Sequence, residues 1–595
     1  MKTKIFGLLL LIITFGSCDD FLTRAPLDSI EDNSDFWNNE NNIRNTVVGL
    51  YDIYFEGYRI GWNRSDYFYG TSVADWTDDL AQTSATFFTK TVPATDATNW
   101  TFNNVRRINL IIDRVTKSNL PDEAKNHWLG VGRFFRALEY SRLVSKFGDV
   151  PWYDKVIEDN DVKSLYKAKD PRTTVMDNVL ADLDFACKNI RESDGLVKGL
   201  SVTRAAAMAY TSRIMLFEGT WQKYRAKNTD FAKKYLTASQ KAASDLMATN
   251  TYSLASSYKS LTNSLSLASN PEMIIYRSYV AGVLTHSLMS FQVEQAEVCS
   301  PSKDLVDSYL SINGLPIHQT ENTLFKGDKW ISDEVANRDS RLADNIDVTS
   351  LKLVGVEALY AVSGYMGNRF VNESVRKSAD GLSNTNVTDA PIMKYNEVLM
   401  NYIEASAELA QLGAYTLSQT DFDKSFNLIR TRAKMPTVKL EGNNLSVNGV
   451  IVNDPDRDLD VPSLIWEIRR ERRVELVFEG IRFNDLRRWN KLQYADMILN
   501  QKLNLGAWLD KEAFVAWYNA NNSTPITIDK LKSIKLDREG NAGYIKPILG
   551  AQYLRTYAEK DYLYPIPTDQ IKLYKDKATQ LNDPTITLEP QNPGW

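Results

Sequence analysis

Histidine and cysteine are scarce in this chain, with three of each in 595 residues. His127, His286 and His318 lie far apart, and there is no HExxH, no CxxC pair and no His-Cys cluster. That pattern excludes the ordinary transition-metal sites. Charge of one sign is lacking too: 70 Lys and Arg stand against 75 Asp and Glu, for a net charge of -5. No nucleic-acid footprint follows from such a balance. Beyond the N-terminus, no apolar stretch approaches the roughly 20 residues needed to cross a bilayer. The body is therefore expected to be soluble and tethered, not embedded. Pro-rich or Gly/Ser-rich linkers are missing, and so is a fixed-period repeat. Alternation of strand and helix is absent, as is a nucleophile motif, which argues against an enzyme. A secreted glycoside hydrolase, with two carboxylates about 5–5.5 or 6.5–9.5 Å apart, is kept as the remote alternative because Asp75, Asp78 and Asp79 lie close together.

The first residues carry the clearest signal. Lys2 and Lys4 form a basic start, residues 5–15 are an apolar run broken by Gly7 and Thr14, and Gly16 and Ser17 lead into Cys18. A run this short reads as a secretory signal, 1–17, and the cysteine makes it a lipoprotein signal with Cys18 as the lipidation site. Two or more acyl chains, palmitate among them, hold a protein firmly at a membrane where one does not. With Cys18 lipidated, Cys187 and Cys299 remain, and they read as buried free thiols more readily than as a disulfide framework.

Hydrophobic content of 43% and charged content of 24% suit a folded globular protein. The length exceeds what one compact core usually serves, so several domains or an elongated helical array are expected. Helical periodicity dominates. In 126–147 the apolar residues fall on two faces, as in a helix sandwiched between neighbours, and Gly148 to Pro151 makes a stop. Further helices are expected at 39–54, 99–116, 173–190, 203–218, 231–248, 391–412, 421–432 and 461–478. Between them lie long irregular stretches near 56–98, 315–389 and 493–552, of the length that is usually functional or appended structure. A single, mainly helical body over 18–595 is the expectation. Asp454, Asp456 and Asp458 begin like a calcium loop, but Leu459 and Ile465 stand where glycine and glutamate belong, so a solvated acidic turn is expected.

Several segments together resemble the SusD/RagB family of lipoproteins. They are CDDFLTRAP (18–26), GRFFRALEY (132–140) running to FGDVP (147–151), NLIRTRA (427–433), EIRRERRVEL (467–476), EGIRFNDLRRW (479–489), YLYPIP (562–567) and QNPGW (591–595). The resemblance implies an all-α core of TPR-like stacked helix pairs, with loops building the ligand surface. It also implies a non-catalytic role: binding a glycan at the cell exterior and delivering it to a SusC-like TonB-dependent transporter in the outer membrane. No cofactor is implied. Some members of the family bind peptides or glycopeptides instead, and that alternative stays open. Asp19 and Asp20 resemble the family's acidic tag after the lipid cysteine.

Sugars lay their C–H faces on flat aromatic rings while carboxylates, amides and guanidinium groups fix the hydroxyls. The loop 59–79 offers both, and Trp62, Tyr69, Asp75, Trp76 and Asp78 are its candidates, with Trp76 the preferred platform. Tyr365 and Arg369, in a glycine-punctuated turn, are expected opposite, and Cys299 either lines the same surface or is a buried thiol. Trp128, Trp466 and Trp489 read as core. On 461–478, Glu467, Arg470, Arg472 and Glu475 form i,i+3 pairs, expected as a structural network and not an anion patch.

Overall fold

The computed structural model describes residues 34–64, 75–84, 88, 91–293 and 300–595. Cys18 and the leader before it lie outside the described residues.

The principal helices are α1 (Glu40–Val48), α2 (Asn103–Lys117), α3 (Asp122–Phe147), α4 (Arg172–Asn189), α5 (Arg204–Trp221), α6 (Thr229–Ala248), α7 (Tyr395–Gln411), α8 (Phe426–Arg432), α9 (Ser463–Glu475), α10 (Arg482–Arg488), α11 (Lys511–Asn521) and α12 (Thr568–Leu581). Prolines stand immediately before α3, α4, α9 and α12. They pre-set the backbone where no intrahelical donor is needed. Asn39, Asn228 and Asp510 cap α1, α6 and α11 through their side chains. Gly148 ends α3 at φ +74, its N–H on the Val144 carbonyl, a conformation that favours glycine.

Helices α2 to α7 stack in sequence, each against the next, and α9 packs on α7. This is the TPR-like helical architecture expected. Arginine–carboxylate ties run from helix to helix: Arg136 of α3 grips Asp182 of α4 through two bonds of 2.7 and 2.8 Å. Arg172 of α4 holds Glu218 of α5 at 2.7 Å, and Arg213 of α5 holds Glu397 of α7 at 2.5 Å. Such pairs are bidentate and charge-assisted, so they fix register as well as attract.

Short antiparallel strands complete the body: β1 (Met273–Arg277), β2 (Ile346–Asp347), β3 (Met366–Gly367), β4 (Ala390–Lys394), β5 (Lys439–Glu441), β6 (Asn444–Val447), β7 (Val450–Ile451), β8 (Trp508–Asp510) and β9 (Ala542–Tyr544). They pair as β1-β4, β2-β3, β5-β6-β7 and β8-β9. The helix expected over 391–412 therefore begins four residues late. Its first turn is strand β4, drawn out by β1, with Arg277 opposite Ala390. A short apolar run fits either state until a distant partner decides. The helices expected over 39–54 and 421–432 are each broken in two.

Two large hydrophobic cores result. The first runs through α1 to α9 and includes Phe134, Phe135, Leu183, Val398, Ile429 and Ile468. The second gathers Leu305, Tyr309, Leu351, Leu353, Leu509 and Phe514 from the stretches 315–389 and 493–552 and their surroundings. Those stretches are thus not bare loops. Helix α9 spans both cores, with Leu464, Ile465 and Ile468 in the first and Val474 in the second.

Candidate functional site

The end of loop 59–79, residues 75–79, is drawn into the body by charge. Arg482 donates to both carboxylate oxygens of Asp78 at 2.8 and 2.6 Å, and Arg473 bonds Asp79 at 2.8 Å. Arg555 donates to the carbonyls of Asp75 and Thr77. Trp76 follows and is 8% exposed, its ring edge-on to Phe88 at 5.7 Å and Phe483 at 5.4 Å. Trp76 and the buried Asp75 are therefore core contacts and not a stacking platform. Asp78 is buried as well, on the floor of the cleft described below.

Tyr365 and Arg369 also turn inward, each 1% exposed. The Tyr365 hydroxyl donates to Glu334 at 2.9 Å. Arg369 donates to Asn345 at 2.8 Å, pairs with Glu479 and lies over the Tyr258 ring at 4.4 Å. The glycines that suggested ligand approach instead let this turn pack under the second core: a Cβ on Gly364 would stand 2.9 Å from Ile545. Trp62 does face outward, 51% exposed, edge-on to Phe291 at 5.9 Å. Gly61 bridges to His286 and Leu80 to Pro301. Tyr69 and Cys299 lie outside the described residues.

A cleft of about 600 Å³ is walled by α9, the acidic turn and the residues after α10. Asp454, Asp456 and Asp458 line it, so the acidic turn is not merely solvated. Asp454 accepts from the Trp466 indole at 2.8 Å and pairs with Arg470. Asp456 holds His318 at 2.7 Å and Lys502 at 3.0 Å, and Asp458 holds Lys491 at 2.6 Å. Burial works against ionisation of Asp78, Asp454 and Asp458, but their cations win and hold each carboxyl below its usual range. Asp456 is lowered chiefly by its hydrogen bond to His318. Trp489 on this wall is buried, with Arg469, Arg482 and Arg488 stacked on its ring at 4.5, 5.6 and 4.7 Å.

A second opening of about 320 Å³ has the opposite character. Trp330 and Trp517, 40% and 38% exposed, line one groove with Trp508, Phe514, Ser332, Asp333, Thr349, Ser350 and Asp510. Trp330 precedes a short helix, Trp508 is on β8, and Trp517 is on α11. Phe514 roots α11 in the second core and packs on Trp517 at 5.7 Å. The Trp508 ring is already covered, by Lys329 at 3.2 Å and Arg538 at 5.1 Å. Trp330 and Trp517 are left to offer ring surface beside hydroxyls and carboxylates, which is the chemistry a sugar requires. Neither residue was a sequence candidate. Trp517 sits in a helix, where an aromatic reads as core, and Trp330 has no neighbouring ring in sequence.

Comparison with known proteins bears on the same chain. The sequence model described as the SusD family matches residues 292–595, and one described as starch-binding associating with outer membrane matches 20–216. SusD-like protein P25 of Formosa agariphila is 24% identical over 36% of this chain and 42% of its own length. SusD-like protein P2 of the same organism is 23% identical over 62% of this chain and 66% of its own. The chain thus spans less than two thirds of each of these relatives. A SusD-like carbohydrate binding protein from Bacteroides fragilis superposes with a TM-score of 0.65 at 20% identity, covering 90% of this chain and 99% of that one.

Proposed function

The chain belongs to the SusD family, and from that premise we propose that it is a non-catalytic surface lipoprotein, lipidated on Cys18. In this reading it captures a glycan at the outer membrane and passes it to a SusC-like TonB-dependent transporter. The observation that carries the reading is the groove holding Trp330 and Trp517, two indoles left open to solvent beside a polar rim. Trp62, exposed and edge-on to Phe291, is an additional platform. The chemistry of the large cleft favours binding over hydrolysis. A glycosidase acid needs a raised pKa, whereas Asp78, Asp454, Asp456 and Asp458 are all held low.

Native electrophoresis of the purified chain through gels containing single polysaccharides tests this function. Retardation by a glycan, with no reducing ends released, is the expected result. Each ring contributes about 1 kcal/mol, so Trp330→Ala and Trp517→Ala should each weaken binding several-fold to about tenfold. Free migration through every glycan, or release of reducing ends, would overturn the reading. Retention of full affinity by both variants would remove the groove from it.

A further inference from the structure

Arg469 is the least satisfied guanidinium on α9. Its neighbours each close several strong contacts: Arg472 on Asp485 at 2.9 Å and Asn401 at 2.8 Å, Arg473 on Asp79 and Asp304 at 2.8 Å. Among the described residues Arg469 bonds only Glu408, at 3.3 Å, although Glu404 also feels its charge. That carboxylate already holds Lys223 at 2.5 Å and the Tyr224 hydroxyl at 2.6 Å. The Nε of Arg469 is buried without a hydrogen-bond partner. A buried cation short of hydrogen-bond acceptors is costly, and the cost falls when an oxyanion supplies them.

The surroundings fit an arriving anion. Arg469 stands between the large cleft and a neighbouring cavity of about 290 Å³, and with Trp489 and Gln493 it lines both. The smaller cavity brings Lys227, Arg469 and Lys491 together against a single carboxylate, Asp460. Lys491 is shared with Asp458 at 2.6 Å. Lys227 is exposed at the end of the turn after α5, in the left-handed region at φ +56, and makes no ion pair among the described residues. Stacking on Trp489 at 4.5 Å and Tyr224 at 4.9 Å fixes the guanidinium plane, so little side-chain freedom is lost when an oxyanion docks.

We propose that this smaller cavity is an anion subsite taking the carboxylate or sulfate group of an acidic saccharide, with Arg469 as its anchor and Lys227 at its mouth. The inference rests on the glycan reading above and narrows its substrate class. It is tested by calorimetric titration of the full chain with three oligosaccharides of equal length: an oligogalacturonate, a sulfated galactan and a neutral glucan. One acidic chain should bind at least about tenfold more tightly than the neutral one, and which one does so separates carboxylate from sulfate. Raising salt from about 0.05 to about 0.5 M should remove most of that preference. Lys227→Gln should weaken the acidic ligand several-fold and Arg469→Met about tenfold or more, both leaving the neutral ligand and the melting temperature unchanged. A drop in melting temperature for Arg469→Met, with Lys227→Gln binding acidic chains as before, would make Arg469 structural and overturn the proposal. Neutral binding at the groove without any acidic preference would overturn it alone. Failure of every saccharide to bind would overturn it together with the glycan reading.

Discussion

Trp76 and Trp330 are the same side chain in opposite surroundings, and the difference lies in what their neighbours are attached to. Asp78 beside Trp76 is claimed by Arg482 and Arg473, far along the chain on α10 and α9. The aspartates that made a polar-flanked platform in the sequence are thus the hooks that bury it. Trp76→Ala should therefore leave glycan affinity untouched and lower unfolding free energy by about 3–5 kcal/mol, read from denaturant melts. No count of aromatics along a loop distinguishes these cases, because a buried arginine partner hundreds of residues away decides. The charged pattern of α9 was more legible. Glu467 and Arg470 pair at 3.1 Å as their spacing predicts. Arg472 and Glu475 instead turn to other elements, Arg472 to Asp485 at 2.9 Å and Glu475 to Arg341 at 2.9 Å.

At the scale of elements, long helices were readable to within a few residues, because α3, α4 and α6 carry their own periodicity and stops. Strand β4 and the pair β8-β9 were not, since their partners are remote and each is short. How closely two helices approach is likewise set by single residues. Gly219 in α5 faces α6 so closely that a Cβ would lie 2.7 Å from Leu236 Cγ and 2.8 Å from its backbone nitrogen. Gly219→Ala should overpack this crossing and cost about 1–3 kcal/mol. A lower urea midpoint with an unchanged slope is the expected signature. An unchanged midpoint would mean that α6 gives way freely.

The whole molecule is held together where its two cores meet. Glu475 at the end of α9 pairs with Arg341 from the second core's side and Arg432 of α8 from the first. Burial opposes its ionisation, but Arg432 and Arg341 hold its carboxyl down to about 2, and Arg488 chiefly does the same for the buried Glu404. An ordinary glutamate titrates near about 4.3. The stability these two contribute is complete above about pH 5 and is lost as pH falls toward 2. Glu467 and Glu334 are raised by burial and act in the opposite sense, so the measurement is a difference. Glu475→Gln should cost about 3–5 kcal/mol at pH 7, and its deficit against the unaltered chain should shrink between about pH 5 and 2. By calorimetry the unaltered chain should melt in one transition and Glu475→Gln in two. A single sharp melt in the variant would show that apolar contact along α9 suffices to couple the cores. The contacts of Pro590 and Asn592 set a timetable as well. Asn592 bonds the Phe147 carbonyl at 2.9 Å and Lys169 reaches the Pro590 carbonyl at 2.6 Å. The helical stack can assemble from near neighbours as it is synthesised, but these seams wait for partners 421 and 445 residues away along the chain. Until then the nascent stack stands with those seams open.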